Sequence, residues 1–387
     1  MHVRRIALLD YRNWAQLDLE LSPGVTLFLG SNGQGKTNLV EAIAYFSQLG
    51  SHRTSQDAAL VRHGHDRAIV RTLIGHAGRE LVLDVEITAS GANRARVAGT
   101  VVKHAELARH HAAVLFAPED LSIVRGDPAG RRRFIDQLIV QLRPAAAGVI
   151  ADYERVLRQR NSLLKSARTT RTPSSALGTL DIWDERLVTL GTRLIEARAD
   201  TVDRLREPVT SAYRALTERD HAPTLGLAVT VAQDVDEQGA AAADAIGSTD
   251  AITKAFTTRL SEMRDRELER GVSLVGPHRD DLVLGLNGLP VRGYASHGES
   301  WSFALALRLG SAQLLRTVST IGDPVLILDD VFAELDEERR HRLAGAVADF
   351  EQVLITAAVA ADVPDDLHPR IVRIQSGEVL EQRDGGR

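Results

Sequence analysis

Apolar and polar positions divide the chain into three stretches. Through about residue 117, short apolar runs alternate with turn signals. Runs at 3–9, 25–29, 69–74, 81–87 and 113–116 predict strands, and residues 37–49, after the second run, predict a helix. From 118 to 270 the period becomes helical. Trp183, Leu187, Leu190, Leu194, Val202, Leu205, Val209, Tyr213 and Leu216 recur in steps of three and four with one eight-residue gap, which sets them on one face of a long helix. Residues 131–142 and 149–167 predict two more helices, separated at Pro144, and 251–270 predicts another. Residues 168–180 read as a loop, the polar and Ala-rich 232–249 as a loop and a candidate for disorder, and 225–231 as a candidate strand. From 271 strands and helices alternate again. The strands are expected at 282–286, 325–328, 353–356 and 371–374, the helices at 300–315 and 337–350, and a frayed tail from 381. No internal repeat is visible, and the helical pattern is too short and interrupted for a long coiled coil. The expected parts are therefore 1–117, 118–270 and 271–387.

Composition narrows the class. At roughly 150 residues per domain, 387 residues allow two to three domains. Apolar residues at 44% and charged residues at 26% suit a globular protein. The absence of cysteine excludes disulfides, Cys-ligated zinc and a thiolate nucleophile. No apolar run reaches the roughly 18–20 residues of a membrane span, and charges interrupt the first apolar stretch. A cytoplasmic, soluble protein with no membrane partner is expected. With 47 basic and 52 acidic residues the net charge is −5, so any DNA surface must be a local patch. Aromatics at 4% argue against stacking on single-stranded bases as the main binding mode.

Residues 30–37 read GSNGQGKT, a match to G-x-x-x-x-G-K-[ST] with a predicted strand before it and a predicted helix after it. Glycines let successive N–H groups point at phosphate oxygens, and the helix N-terminus adds its positive end. Lys36 neutralises the β and γ phosphates, and the Thr37 hydroxyl ligates Mg²⁺. A Gly-rich turn with a chance lysine is the bland alternative, and the two flanks argue against it. Residues 325–330 read VLILDD, a buried parallel strand ending in two aspartates. Asp329, at the C-terminal end where open α/β sheets bind ligands, is expected to hold Mg²⁺ through water. Asp330 is the candidate that polarises the attacking water. The phosphate loop and this strand lie near opposite ends of the chain. The sheet must be assembled from both ends, with the helical stretch extruded as an insertion. No histidine–carboxylate spacing suggests a protein-bound metal, so Mg²⁺ should arrive with ATP.

Residues 296–300 read SHGES at a predicted helix start, a second anion site. It is most useful facing the nucleotide of another subunit, which implies an ATP-dependent homodimer. The order phosphate loop, insertion, Ser-x-Gly helix, carboxylate strand and Ala-Glu-Leu-Asp turn (333–336) resembles ABC-type ATPase heads. Within that class the chain resembles the RecF family of recombination mediators. The resemblance runs from Arg4 to about Gln375. It is carried by YRNW (11–14), GSNGQGKTNLVEAI (30–43), SHRT (51–54), APEDLSIVRGDPAGRRRFID (117–136), GPHRDDL (276–282), SHGESWSFALALRL (296–309) and LILDDVFAELD (326–336). It implies an α/β fold, an SMC-like P-loop ATPase head with an inserted, mainly helical lid. It also implies ATP-dependent binding of double-stranded DNA and gap junctions, a weak DNA-dependent ATPase, and roles in recombinational repair, replication and the SOS response. The implied partners are RecR and, indirectly, RecO and RecA.

The expected catalytic residues are Lys36, Asp330 and Ser296. Gly30, Ser31, Asn32, Gly33, Gln34, Gly35, Lys36 and Thr37 are the expected nucleotide contacts, joined by Ser296 and Gly298; Thr37 and Asp329 are the expected Mg²⁺ ligands. Three departures from the broader ABC pattern point to slow hydrolysis. The signature reads SHGES, Asp330 stands where many transporters have Glu, and the switch-histidine region reads TAA, with Thr356 its nearest polar residue. Arg53 is a candidate contact to nucleotide or DNA, and Arg131, Arg132 and Arg133 to DNA phosphates, against the alternative of solvated arginines. Glu119 is a candidate for the ABC glutamine-loop position, or only a helix-start charge. His278 and Arg279 either touch DNA or order a turn. A transporter ATPase subunit and an SMC-like structural scaffold remain the alternative functions.

Overall fold

The computed structural model describes residues 1–54, 56–170, 178–217, 220–232 and 247–383. Alternation gives the first strand its two faces: in β1 (His2–Tyr11), Val3, Ile6, Leu8 and Tyr11 are buried while Arg4, Arg5 and Leu9 face out. β2 (Trp14–Glu20), unpredicted, pairs antiparallel with it. The phosphate loop follows β3 (Gly24–Leu29) and opens α1 (Lys36–Gln48), which is buried almost all round from Leu39 to Ser47. β4 (Arg67–His76), β5 (Arg79–Thr88), β6 (Arg94–Val97) and β7 (Thr100–Val102) extend the first sheet, in the order β2-β1-β4-β5-β6-β7. β8 (Ala113–Phe116) follows.

The helical region comprises α2 (Leu121–Arg125), α3 (Pro128–Leu142), α4 (Ala146–Thr170), α5 (Gly178–Leu216) and α6 (Thr249–Arg270). α5 is the long helix expected from its apolar stripe. Leu187, Leu194, Val202, Leu205, Val209, Tyr213 and Leu216 are buried, while Trp183 and Leu190 are half-buried. Of the loop expected at 168–180, residues 168–170 end α4, 178–180 begin α5, and 171–177 lie outside the described residues. Most of the candidate disordered loop, 233–246, also lies outside them. β9 (Thr224–Ala228), β10 (Asp281–Leu286) and β11 (Leu289–Pro290) form a small antiparallel sheet.

α7 (Val291–Tyr294) is a single turn, and α8 (His297–Val318) follows it. The chain then runs through β12 (Val325–Asp329), α9 (Glu337–Val347), β13 (Gln352–Ala357), β14 (Arg370–Gln375) and β15 (Glu378–Arg383). Of the frayed tail expected from 381, residues 381–383 end β15, and 384–387 lie outside the described residues. The third sheet has the order β15-β14-β3-β13-β12-β8. It is parallel except for β15, and it joins β3 and β8 from the first part of the chain to four strands from the last. One apolar core unites this sheet, α1 and the antiparallel sheet. The architecture is an α/β unit whose parallel sheet is assembled from both chain ends.

The chain forms two compact units. One comprises Met1–Asp120, Ser211–Asp220 and Trp301–Arg387; the other comprises Leu121–Thr210 and His221–Ser300. The boundaries drawn from sequence, 117/118 and 270/271, differ. Residues 271–300 pack with the helical unit, because β10 pairs with β9, and 211–220 pack with the head. Inside the helical unit, Arg160 is fully buried. Its guanidinium reaches Asp184 Oδ1 at 2.6 Å, Glu267 Oε2 at 2.6 Å and Ser273 Oγ at 2.7 Å. Among the described residues no helix is long and apolar enough to cross a membrane.

In the head, His111 is fully buried, 6.0 Å from the Phe46 ring, and neither ring nitrogen has a hydrogen-bond partner. Burial pushes its pKa down to about 3, from 6.5. The unfolded chain therefore binds the extra proton first. The stability contributed by a neutral His111 is complete above pH 6.5 and declines as pH falls towards 3. His111→Leu should remove this decline, gaining about 2 kcal/mol relative to wild type at pH 5 and little of it at pH 7. Urea unfolding at the two pH values measures the difference.

Candidate nucleotide site

The phosphate loop is built by close backbone approaches. A side chain at Gly30 would place its Cβ 2.2 Å from the Ile374 carbonyl oxygen. Gly35 sits at φ 110, in the left-handed region, with the Asn13 side chain against it. α1 starts directly at Lys36 with no side-chain cap and no acidic residue in its first turn, so its leading N–H groups face the loop. Lys36 is only 3% exposed, and its Nζ donates to the carbonyls of Gly30 (2.8 Å) and Ser31 (3.3 Å). The ammonium is thus folded back into the concavity of the loop. Asn32, Gly33, Lys36, Thr37, Arg53 and Asp330 line the cleft above it.

Strand order brings the distant carboxylates here. β13 lies between β3 and β12, so the end of β12 faces the start of α1. The Thr37 hydroxyl donates to Asp329 Oδ1 at 3.0 Å, and the Thr356 hydroxyl donates to the same oxygen at 2.7 Å. Asp329 is 3% exposed. Burial pushes its pKa up to about 6; the two hydroxyls oppose that rise, and Asp330 and Glu119 add to it. A buried carboxylate beside a hydroxyl, short of positive charge, is a suitable donor set for a divalent cation. Asp330 is half-buried, with φ 52.

Several supports were not read from sequence. Trp14 Nε1 donates to the Gly35 carbonyl at 3.1 Å, and Asn13 Nδ2 to the Gln34 carbonyl at 3.2 Å. The Gly377 N–H also reaches the Gln34 carbonyl, at 3.1 Å, and the Ser376 N–H reaches its side chain at 2.5 Å. Arg12 pairs with the buried Glu41, whose Oε1 also accepts from Ser51 at the start of the SHRT segment. Asn38 donates to Asn13 and accepts from Arg53, at 2.7 and 2.9 Å. Arg12, Asn13 and Trp14 therefore act as a brace for the loop and the helix that follows it. Their motif was visible, but these contacts exist only once β1 and β2 have paired.

Other expectations change. Arg131 is 5% exposed and bidentate to Asp281, with both contacts at 2.7 Å, so it is not available to DNA phosphates. Arg132 donates to the Asp280 carbonyl at 2.8 Å, and Arg133 is exposed. The three arginines form no single patch, because consecutive helical positions point about 100° apart. His278 bonds Tyr153 (2.7 Å) and the Ser273 carbonyl (3.2 Å), and Arg279 also donates to that carbonyl, so both order the turn. Ser296 is exposed and forms a capping box. Its N–H donates to Glu299 at 2.7 Å and its Oγ accepts from the Glu299 N–H at 3.2 Å. A carboxylate thus occupies the helix start where an anion site was expected. Gly298 is half-buried in the first turn of the same helix.

Comparison with known proteins agrees with this architecture. The model of the RecF/RecN/SMC N-terminal domain matches residues 2–371. The chain is 55% identical over 388 aligned residues to the DNA replication and repair protein RecF of Clavibacter sepedonicus, covering 98% of this chain and 95% of the relative. The chain belongs to the RecF family. It is likewise 50% identical to RecF of Kineococcus radiotolerans, over 98% of this chain and 99% of that one. The solved structure of the recombination mediator RecF with ATP, in the RecFOR pathway, superposes with a TM-score of 0.85 at 29% identity, covering 98% of this chain and 97% of that one. RecF membership places the chain among DNA replication and repair proteins with an ABC-type, SMC-like ATPase head.

Proposed function

We propose that the chain is an ATP-dependent, dimeric DNA-binding switch that hydrolyses ATP slowly. The observation that carries this reading is the Thr37–Asp329 contact beside Lys36, made by segments from opposite ends of the chain. Gly30 to Thr37 would cradle the phosphates, with Lys36 neutralising the β and γ charge. Thr37 and Asp329 would hold Mg²⁺, which supplies positive charge to the phosphates when bound. Asp330 would orient the attacking water, and its short side chain suits a slow turnover. Arg53, in the same cleft, is assigned to the nucleotide rather than to DNA. Arg133 remains the assignment for a DNA phosphate. The helical unit is assigned as the lid.

In the dimer, Ser296 and Gly298 of one subunit would face the partner's nucleotide, displacing the Glu299 carboxylate from the helix start. Family membership supports double-stranded DNA and gap junctions as the substrate, RecR as partner, and RecO and RecA beyond it. It also supports roles in recombinational repair and the SOS response. A cytoplasmic location follows from those roles.

Asp330→Asn should bind ATP normally, hydrolyse it at least tenfold more slowly, and prolong the DNA-bound dimer. Ser296→Arg should bind ATP yet stay monomeric. Light scattering with ATP, followed by release of labelled double-stranded DNA, tests both. Normal turnover by Asp330→Asn would remove Asp330 from the mechanism. An ATP-induced dimer of Ser296→Arg would remove the trans site.

A further inference from the structure

Thr356 stands in the region where ABC-type ATPases carry a switch histidine, and its surroundings give it a different task. It is fully buried on β13, the strand between the phosphate-loop strand and the carboxylate strand. Its register partners are Phe28 on one side and Asp329 on the other. Its hydroxyl donates to Asp329 Oδ1 at 2.7 Å and accepts from the Asp330 backbone N–H at 2.9 Å. A hydroxyl has one proton. Here that proton goes to the carboxylate, so none is left to offer a phosphate oxygen. Asp330 sits at φ 52, a left-handed conformation that is uncommon for residues with a side chain, and the bond to Thr356 ties down its peptide. One side chain therefore holds the carboxylate of Asp329 and the backbone of Asp330.

We propose that Thr356 is a positioning residue that fixes Asp329 for the cation and Asp330 for the attacking water, and that it is not a sensor of the γ-phosphate. This rests on the nucleotide-site assignment above. Thr356→Val keeps the shape, removes one hydrogen bond from the carboxylate and leaves the Asp330 N–H unpaired. Thr356→Ser keeps both bonds.

The experiment measures binding of a non-hydrolysable ATP analogue to the full chain as a function of Mg²⁺, binding of the same analogue in EDTA, and single-turnover hydrolysis at saturating Mg²⁺. In Thr356→Val the Mg²⁺ concentration for half-saturation should rise about tenfold, as expected for losing a hydrogen bond to a charged group. Hydrolysis should fall by a similar factor, and binding in EDTA should stay within twofold of wild type. Thr356→Ser should restore wild-type values in all three. A merely structural role would lower the melting temperature and weaken binding in EDTA as well. If Thr356→Val misfolds, Thr356→Ala, which introduces no new bulk, gives the same readout. Wild-type Mg²⁺ half-saturation in the variant, with or without a loss of hydrolysis, overturns the proposal. Failure of the wild-type protein itself to show Mg²⁺-dependent binding would instead overturn the nucleotide site on which the proposal rests.

Discussion

Lys36→Ala should bind ATP at least roughly a hundredfold more weakly than the wild-type protein, because charge-assisted hydrogen bonds to two phosphates are lost together. The lysine is buried within the loop, donating to the Gly30 and Ser31 carbonyls. Nucleotide binding requires its ammonium to exchange those carbonyls for phosphate oxygens. No other described lysine or arginine lines the cleft except Arg53, which is held by Asn38. The charge is therefore not replaced from nearby. Without nucleotide the variant should melt no lower than wild type, since a buried cation has been removed rather than created. Titration with a fluorescent ATP analogue, alongside thermal melting of the nucleotide-free protein, separates loss of binding from loss of fold. Binding of wild-type strength would remove the loop from the mechanism.

The second large effect is on stability. Arg160→Met should destabilise the helical unit by about 3–5 kcal/mol, because it leaves the fully buried Glu267 without its cation. Asp184 and Ser273 lose partners at the same time. The cost lies in the orphaned charge rather than in the lost attraction. Arg160→Met combined with Glu267→Leu should therefore recover much of the loss. Urea unfolding of the three proteins gives the values. A double variant no more stable than the single one would show that the network acts through packing instead.

Local chemistry was legible in the sequence, and tertiary pairing was not. The phosphate loop, its strand and its helix follow from glycine spacing and an apolar run. Asp329 follows from the apolar strand that precedes it. That the Thr356 hydroxyl would meet that carboxylate does not, because Thr356 reaches it only through the strand order β3-β13-β12. β2 was missed because only Trp14, Leu17 and Leu19 of its seven residues are both apolar and buried. The polar residues from 381 read as a tail, and the place of 381–383 in the edge strand β15 comes from pairing with β14. Helical geometry fans Arg131 to Arg133 apart. It could not say which of them turns inward, because the partner of Arg131 is Asp281 on β10. At Ser296 the S-x-x-E spacing is that of a capping box, and the structure forms one there.

In the proposed switch, nucleotide state controls the grip on DNA. The most direct test is the affinity for double-stranded DNA of wild type and Lys36→Arg, with and without ATP, at one stated salt concentration. Arginine keeps the charge but not the point-like geometry of the lysine, so ATP should no longer be read correctly. ATP should tighten wild-type binding by roughly tenfold or more, and this increment should disappear in Lys36→Arg while ATP-free binding is unchanged. Equal wild-type affinity with and without ATP would contradict it.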